Sequence, residues 1–193
     1  MNLRDDALSV LERFDHPDPE QRALAREYRD FVGDHPDCMW RSLGIGHVTA
    51  SALVVDEDSG AVLLTLHPKV GRWLQLGGHL EHEDVSLRAA AIREVAEESG
   101  IGVGRISALP IRLDRHPVPC GRGPDGSVRM STHWDIQYVL RVKGMPAPVI
   151  SHESEDLRWF SALPDVDGSV QRLLLDAHQA LAEPPAGAWA SIG

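Results

Sequence analysis

Apolar positions divide the chain by period. Leu8, Leu11 and Phe14 recur at helical spacing, as do Leu24, Tyr28 and Phe31, which predicts helices over 2–14 and 19–34. The segment HPDP at 16–19 separates them, and Gly33 with Pro36 closes the second. From His47 the period shortens. HVTASALVVD (47–56) is rich in β-branched residues, EDSG (57–60) reads as a turn, and AVLLTLH (61–67) completes a hairpin. WLQLGG (73–78) is a short extended piece running into glycines. Residues 86–99 form the clearest helix, with Ser86 at the N-cap and Gly100 at the C-cap. Residues 105–116 read as a strand, 117–127 as a long loop rich in proline and glycine, 133–142 and 157–162 as strands, and 169–182 as a last helix. Mixed strands with helices before, between and after them predict an α/β fold, an α/β/α layered sandwich with a helical extension in front. The expected organisation is a helical extension over 1–40, a main domain over 41–183, and a mobile tail over 184–193.

Composition narrows the classes. Apolar residues make up 42% and charged residues 25% of 193, the balance of an ordinary globular protein. Nineteen basic against twenty-nine acidic residues give a formal charge of -10, which disfavours nonspecific binding of nucleic acid. Cys38 and Cys120 are too few for a disulfide framework and read as reduced, non-catalytic thiols. The segment MNLRDDALSV lacks the apolar core of a signal peptide, and no stretch approaches the roughly 20 apolar residues of a membrane span. The expectation is a cytoplasmic protein with no membrane partner.

The chemistry concentrates in GGHLEHEDVSLRAAAIREVAEESGI, residues 77–101. Glu94, Glu97 and Glu98 stand at i, i+3 and i+4, so they share one face of a helix. Three like charges there repel one another, and they lie toward the helix C-terminus, where the macrodipole disfavours anions. A cation among the carboxylates offsets both penalties, and hard cations such as Mg²⁺ prefer oxygen ligands. Ala91, Ile92 and Val95 form the opposite face, suited to burial against a sheet. A solvated acidic face is the bland alternative; Arg93 ahead of the cluster and Gly77-Gly78 upstream weigh against it.

REVAEESGI (93–101) matches the core of the Nudix box, and the chain resembles that family, in particular a bacterial subgroup, over roughly 46–165. Gly78 stands as the box glycine, and one residue more than the family spacing separates it from Arg93, so Asp84 and Glu83 both remain open for the upstream acidic position. The resemblance implies a Nudix-type, MutT-like pyrophosphohydrolase that cleaves a diphosphate linkage in a nucleoside diphosphate joined to another moiety. It implies Mg²⁺, with Mn²⁺ as a substitute, held by Glu94, Glu97 and Glu98 and the Gly78 or Gly77 carbonyl. Arg93 would orient a glutamate by a charge-assisted hydrogen bond. One carboxylate would take a proton from the attacking water: Glu97, Glu98, or a residue of HESED (152–156), namely Glu153, Glu155 or Asp156.

Further residues are candidates to meet the substrate. His67, Lys69 and Arg72 form a basic turn ahead of the box, against the alternative of a plain hairpin turn. His133 and Asp135 share one strand face near Tyr138 and, with His116, suggest a second metal or phosphate site; a satisfied His–Asp pair is the competing reading. His79 and His82 flank the glycines but are not preferred Mg²⁺ ligands. Trp134, Tyr138, Trp159 and Phe160 are candidates to stack on a base, although strand aromatics are more often core.

Two other functions share this fold. Isopentenyl diphosphate isomerases need a cysteine shortly before the box glycines, and residues 70–78 contain none. A non-catalytic ligand sensor is the second alternative, disfavoured by the intact Glu94, Glu97 and Glu98. The expected partner is a small nucleotide-type molecule, with a homodimer through the N-terminal helices as a further expectation.

Overall fold

The longest uninterrupted burial in the chain belongs to β1 (His47–Asp56), in which all ten residues are buried. A strand is buried on both faces only when layers cover both, so this strand marks the centre of the molecule. The computed structural model describes residues 2–122, 125–151, 154–182 and 187–193. In it, α1 (Leu3–Arg13) and α2 (Pro19–Asp34) precede β1, followed by β2 (Val62–His67), β3 (Arg72–Leu74) and β4 (Leu76–His79). Then come α3 (Leu87–Ser99), β5 (Gly104–Ser107), β6 (Arg112–Arg122), β7 (Val128–Val142), β8 (Asp156–Phe160), α4 (Gly168–Ala182) and β9 (Trp189–Ile192). Among the described residues no helix is long and apolar enough to cross a membrane.

The nine strands form one mixed sheet. Its main path runs β3-β2-β1-β7-β5-β9, with β4 also paired to β1, β6 to β7 and β8 to β2. Among the described strand pairs only β1 and β7 run parallel. The alternation of β1 sorts its residues to two faces. Val48, Ala50, Ala52 and Val54 join Leu87, Ala91 and Val95 of α3 and the apolar faces of α1 and α2 in one core. Leu53 and Val55 join Val170, Leu173 and Ala177 of α4 in the other. The expected α/β/α sandwich is the observed architecture.

The elements differ from their sequence-predicted bounds mainly in the second half. The strand expected over 105–116 is two strands. Between them Pro110 has no amide proton to give a ladder, while Ala108 N–H turns to Ala188 O at 2.7 Å and Ile111 N–H to Gln137 O at 2.8 Å. The loop expected at 117–127 is instead mostly β6, which pairs with β7 as far as Arg122. Pro117 and Pro119 stand two apart, so their ring nitrogens lie on the same edge of the strand. An edge strand tolerates proline when its missing donor faces away from its only partner. The segment 184–193, expected to be mobile, carries β9, where Ser107↔Trp189 through Gly104↔Ile192 pair antiparallel.

Helices α1 and α2 bury their apolar faces on the chain's own core, and Asp6, Gln21 and Tyr28 help fasten them there. The Leu87 amide, one of the unsatisfied donors at the start of α3, donates to Asp6 Oδ2 at 2.8 Å. Gln21 bonds both backbone groups of Leu113, at 3.1 and 2.9 Å, replacing the strand that β6 lacks on that edge. The Tyr28 hydroxyl lies within hydrogen-bonding distance of Asp114 O and Asp135 O, at 2.7 and 3.0 Å. Deleting one partner leaves the other buried and unsatisfied. Asp6→Ala and Tyr28→Phe should therefore each lower the unfolding free energy by about 1–3 kcal/mol, read as an earlier urea midpoint at unchanged slope. Wild-type midpoints in both would mean that the helices are not energetically tied to the sandwich.

Candidate active site

Helix α3 begins where the Ser86 side chain accepts from Ala89 N at 3.1 Å, and it ends at Gly100. One face packs on β1 through Ala91 and Val95. The adjoining face turns Glu94 and Glu98 inward, 7% and 9% exposed, and leaves Glu97 at the mouth. The Glu94 carboxylate lies against the strand end carrying Gly78.

Both glycines are required there. Gly77 has φ +155°, and a Cβ on it would stand 2.3 Å from Ser51 Cβ of the adjacent strand. A Cβ on Gly78 would stand 2.8 Å from the Glu94 carboxylate. The bare backbone of β4 thus lies directly against Glu94, with space for nothing larger than hydrogen.

Arg93 organises the carboxylates. Its Nε and Nη2 donate to the two Asp84 oxygens at 3.0 and 2.9 Å, a bidentate fork. Its Nη1 donates to Glu94 Oε1 and to Glu97 Oε2, both at 3.0 Å. Nη2 also donates to His79 O at 2.9 Å, which ties the helix to the end of β4. The Asp84 bond, then Glu94, hold the guanidinium pKa above its ordinary value despite the opposing effect of burial. The upstream acidic position left open by the sequence is filled by Asp84, which also accepts from Glu81 N at 2.8 Å; Glu83 is exposed.

The opposite face of the sheet carries a polar floor. Parallel register places His47 beside His133, Thr49 beside Asp135 and Ser51 beside Gln137. Asp135 is buried and accepts from Thr49, Ser51 and Gln137 at 3.0, 2.7 and 3.0 Å. Burial raises its pKa, and the Ser51 bond opposes that rise. His116 bonds Asp114 at 2.7 Å, so a satisfied His–Asp pair exists, although with Asp114 rather than Asp135. That bond raises the His116 pKa. Burial pushes the His47 and His79 imidazoles down to about 4 and His133 to about 3, so all three are neutral at pH 7.

The remaining sequence candidates separate in space. His67 and Arg72 face each other in the β2–β3 register, and Arg72 is mostly exposed, 3.8 Å from Asp167. Tyr138 does not line the site: it is fully buried in the core beneath the helices, on the face of β7 opposite His133. Its even position puts it there, as it does Trp134, which stacks on Phe31 at 4.2 Å. Trp159 donates to Pro146 O at 3.0 Å, and His82 stacks on Trp40 at 3.9 Å. Glu153 lies outside the described residues. Glu155 is exposed and Asp156 pairs with Arg158, both at the β8 end beside Leu66 of β2. The loop before β8 passes the end of α3, where Val149 N–H donates to Ser99 O at 2.8 Å.

Sequence reasoning missed Thr49, Ser51, Gln75, His47 and Cys120 as parts of polar clusters. The alternation in HVTAS and in HWDIQ carried the signal for the strand residues: both strands put polar groups on one phase, and parallel pairing stacks them.

Solved structures of similar fold include a Nudix-family hydrolase from Clostridium perfringens. It is 25% identical, with 70% of this chain and 96% of that chain covered and a TM-score of 0.52. The dihydroneopterin triphosphate pyrophosphohydrolase of E. coli is 18% identical, with 66% and 91% covered and a TM-score of 0.50, a likeness of fold alone. No curated protein sequence matches the chain. A family model of the NUDIX domain matches residues 46–164, a span that contains β1, the paired glycines and the whole of α3. On that match over more than half its length, the chain belongs to the Nudix family of pyrophosphohydrolases.

Proposed function

We propose that the chain hydrolyses a diphosphate linkage in a nucleoside diphosphate joined to another moiety, with Mg²⁺ as its cofactor and Mn²⁺ as a substitute. The observation that carries this reading is the Arg93 fork: one guanidinium holding Asp84, Glu94 and Glu97 beside the buried Glu98. The donor set fits a hard divalent cation. It is all oxygen, it carries more negative charge than Arg93 offsets, and the missing Cβ of Gly78 lets the backbone of β4 lie close to the Glu94 carboxylate. Glu94, Glu97 and Glu98 with Gly78 would hold the ion, which when bound neutralises phosphate charge and lowers the pKa of water.

The protein's own groups do the rest. Glu98, buried against the sheet one turn beyond Glu94, is placed to take the proton of the attacking water. Glu97 is exposed, Glu153 precedes β8 in the sequence, and both are further candidates for that step. Arg93 touches no substrate; it fixes the carboxylates before the substrate arrives, which limits the reorganisation needed during reaction. His67 and Arg72 on the β2–β3 turn are proposed to meet the substrate; His133, on the far face of the sheet, is not placed to do so.

Product analysis of a panel of nucleoside triphosphates, sugar nucleotides, ADP-ribose and dinucleotides should show cleavage of one class with Mg²⁺ and none with EDTA. Glu98→Gln should lower kcat on that substrate by about 10²–10⁴-fold while the thermal midpoint stays near wild type. A wild-type rate in Glu98→Gln and in Glu97→Gln would remove these residues from the chemistry. Gly78→Ala should displace the Glu94 carboxylate and lower kcat by about 10²-fold with little change in stability. Unchanged turnover would mean that Glu94 does not need its close seat on β4.

A further inference from the structure

A second cluster of ligating side chains lies on the polar floor, on the face of the sheet away from the carboxylates. One nitrogen each of His47, His79 and His133 and the sulfur of Cys120 lie within 4.8 Å of one another. The imidazole rings close on a common point, with centroids 5.0 Å apart for His47–His79, 4.8 Å for His47–His133 and 5.3 Å for His79–His133. We infer that His47, His79, His133 and Cys120 form a four-coordinate structural site for a zinc-class divalent metal, distinct from the carboxylate cluster.

The first argument is what the cluster lacks. His47 is fully buried, and neither of its ring nitrogens has a hydrogen-bond partner among the described residues. The same holds for Nε2 of His79 and Nε2 of His133. A neutral imidazole has one donor and one acceptor nitrogen, and folded proteins pair such atoms when they are buried. Three histidines turned toward one another without partners are unexplained by packing, and a shared ion accounts for all of them.

The second argument is the donor chemistry. Three imidazoles and one thiolate match the nitrogen and sulfur preference of zinc and exclude the hard ions that suit the glutamates. Ideal bonds to zinc put neighbouring ligand atoms of a tetrahedron roughly 3.4–3.7 Å apart, so small side-chain rotations close the present arrangement.

The third argument is how the fold delivers the ligands. His47 opens β1 and His133 is its direct partner in β7. His79 ends β4, opposite Thr49 of β1. Cys120 falls in the irregularity of the β6–β7 register between Pro119 and Arg122. Four residues after His116, which pairs with His133, Cys120 keeps the strand phase of the histidine face, and its thiol is 8% exposed. Four strands thus contribute one ligand each, and all four coordination positions are taken by protein, which marks a structural rather than a catalytic metal. The same residue whose ring faces this ion, His79, gives its carbonyl to Arg93. The ion would brace the strand end on which the carboxylate cluster rests.

The test uses the full chain, stripped of metal and titrated with Co²⁺ and then Zn²⁺. Co²⁺ should bind at about one equivalent in this site, with strong visible absorption of a tetrahedral centre and a near-ultraviolet thiolate charge-transfer band, both bleached by Zn²⁺ and insensitive to excess Mg²⁺. Cys120→Ser should lose the charge-transfer band, and His133→Ala should lose the tetrahedral spectrum. Cys38→Ser and Glu98→Gln should keep both, which separates this site from the other thiol and from the carboxylates. The inference fails if wild-type protein shows no thiolate band, whatever the variants do. It fails equally if the band survives Cys120→Ser, or if Glu98→Gln abolishes it. A hydrolase inactive on every substrate but showing the Cys120-dependent band would overturn the proposed function and leave this site standing.

Discussion

One guanidinium holds the carboxylate face together. Arg93 donates to two oxygens of Asp84, one each of Glu94 and Glu97, and the carbonyl of His79. Those acceptors come from the loop before α3, from α3 itself and from the end of β4, so a single side chain sets the relation among three segments. The carboxylates repel one another, and α3 would be a poor helix at that end without a cation to satisfy them. A planar fork with fixed donor directions does this where a lysine, a point charge on a flexible stem, would not. The helix, the glycines and the bend between them are each tolerable only because the others are present.

The sheet then has two unlike sides at one end. Toward α3 it presents glycine backbone to carboxylates; toward the other face it presents histidines, hydroxyls and a buried Asp135. Parallel pairing of β1 with β7 makes this separation possible, because the two strands put the same phase on the same side over their whole paired length. Farther along, the polar phase becomes Leu53, Val55 and Val139 under α4. One pair of strands therefore changes from chemistry to core within a few residues.

Much of this was legible in the chain. The Glu94, Glu97 and Glu98 spacing, the Ser86 cap and the strand over 47–56 follow from local rules, and the structure carries each as read. The register was not legible. Whether Asp84 or Glu83 meets Arg93 depends on a turn whose geometry no periodicity encodes. Tyr138 is an aromatic that could stack on a base, yet strand alternation sends it into the core, on the face opposite His133. Pro117 and Pro119 suggested a loop, since proline argues against a central strand; on an edge strand the same residues are harmless. Cys120 keeps the strand phase of His116, and reading 117–127 as a loop hid that alternation.

The clasp made by Tyr28 joins backbone carbonyls 86 and 107 residues further along the chain. Helices α1 and α2 are synthesised well before the strands they cover, and their local hydrogen bonds allow them to form early. Their docking nevertheless requires β6 and β7 to be paired first, since the acceptors lie on those two strands. The amphipathic pair must wait with its apolar face uncovered, and closing so long a loop is entropically slow. Until Asp114 and Asp135 are in place, the Tyr28 hydroxyl has neither of its carbonyl partners.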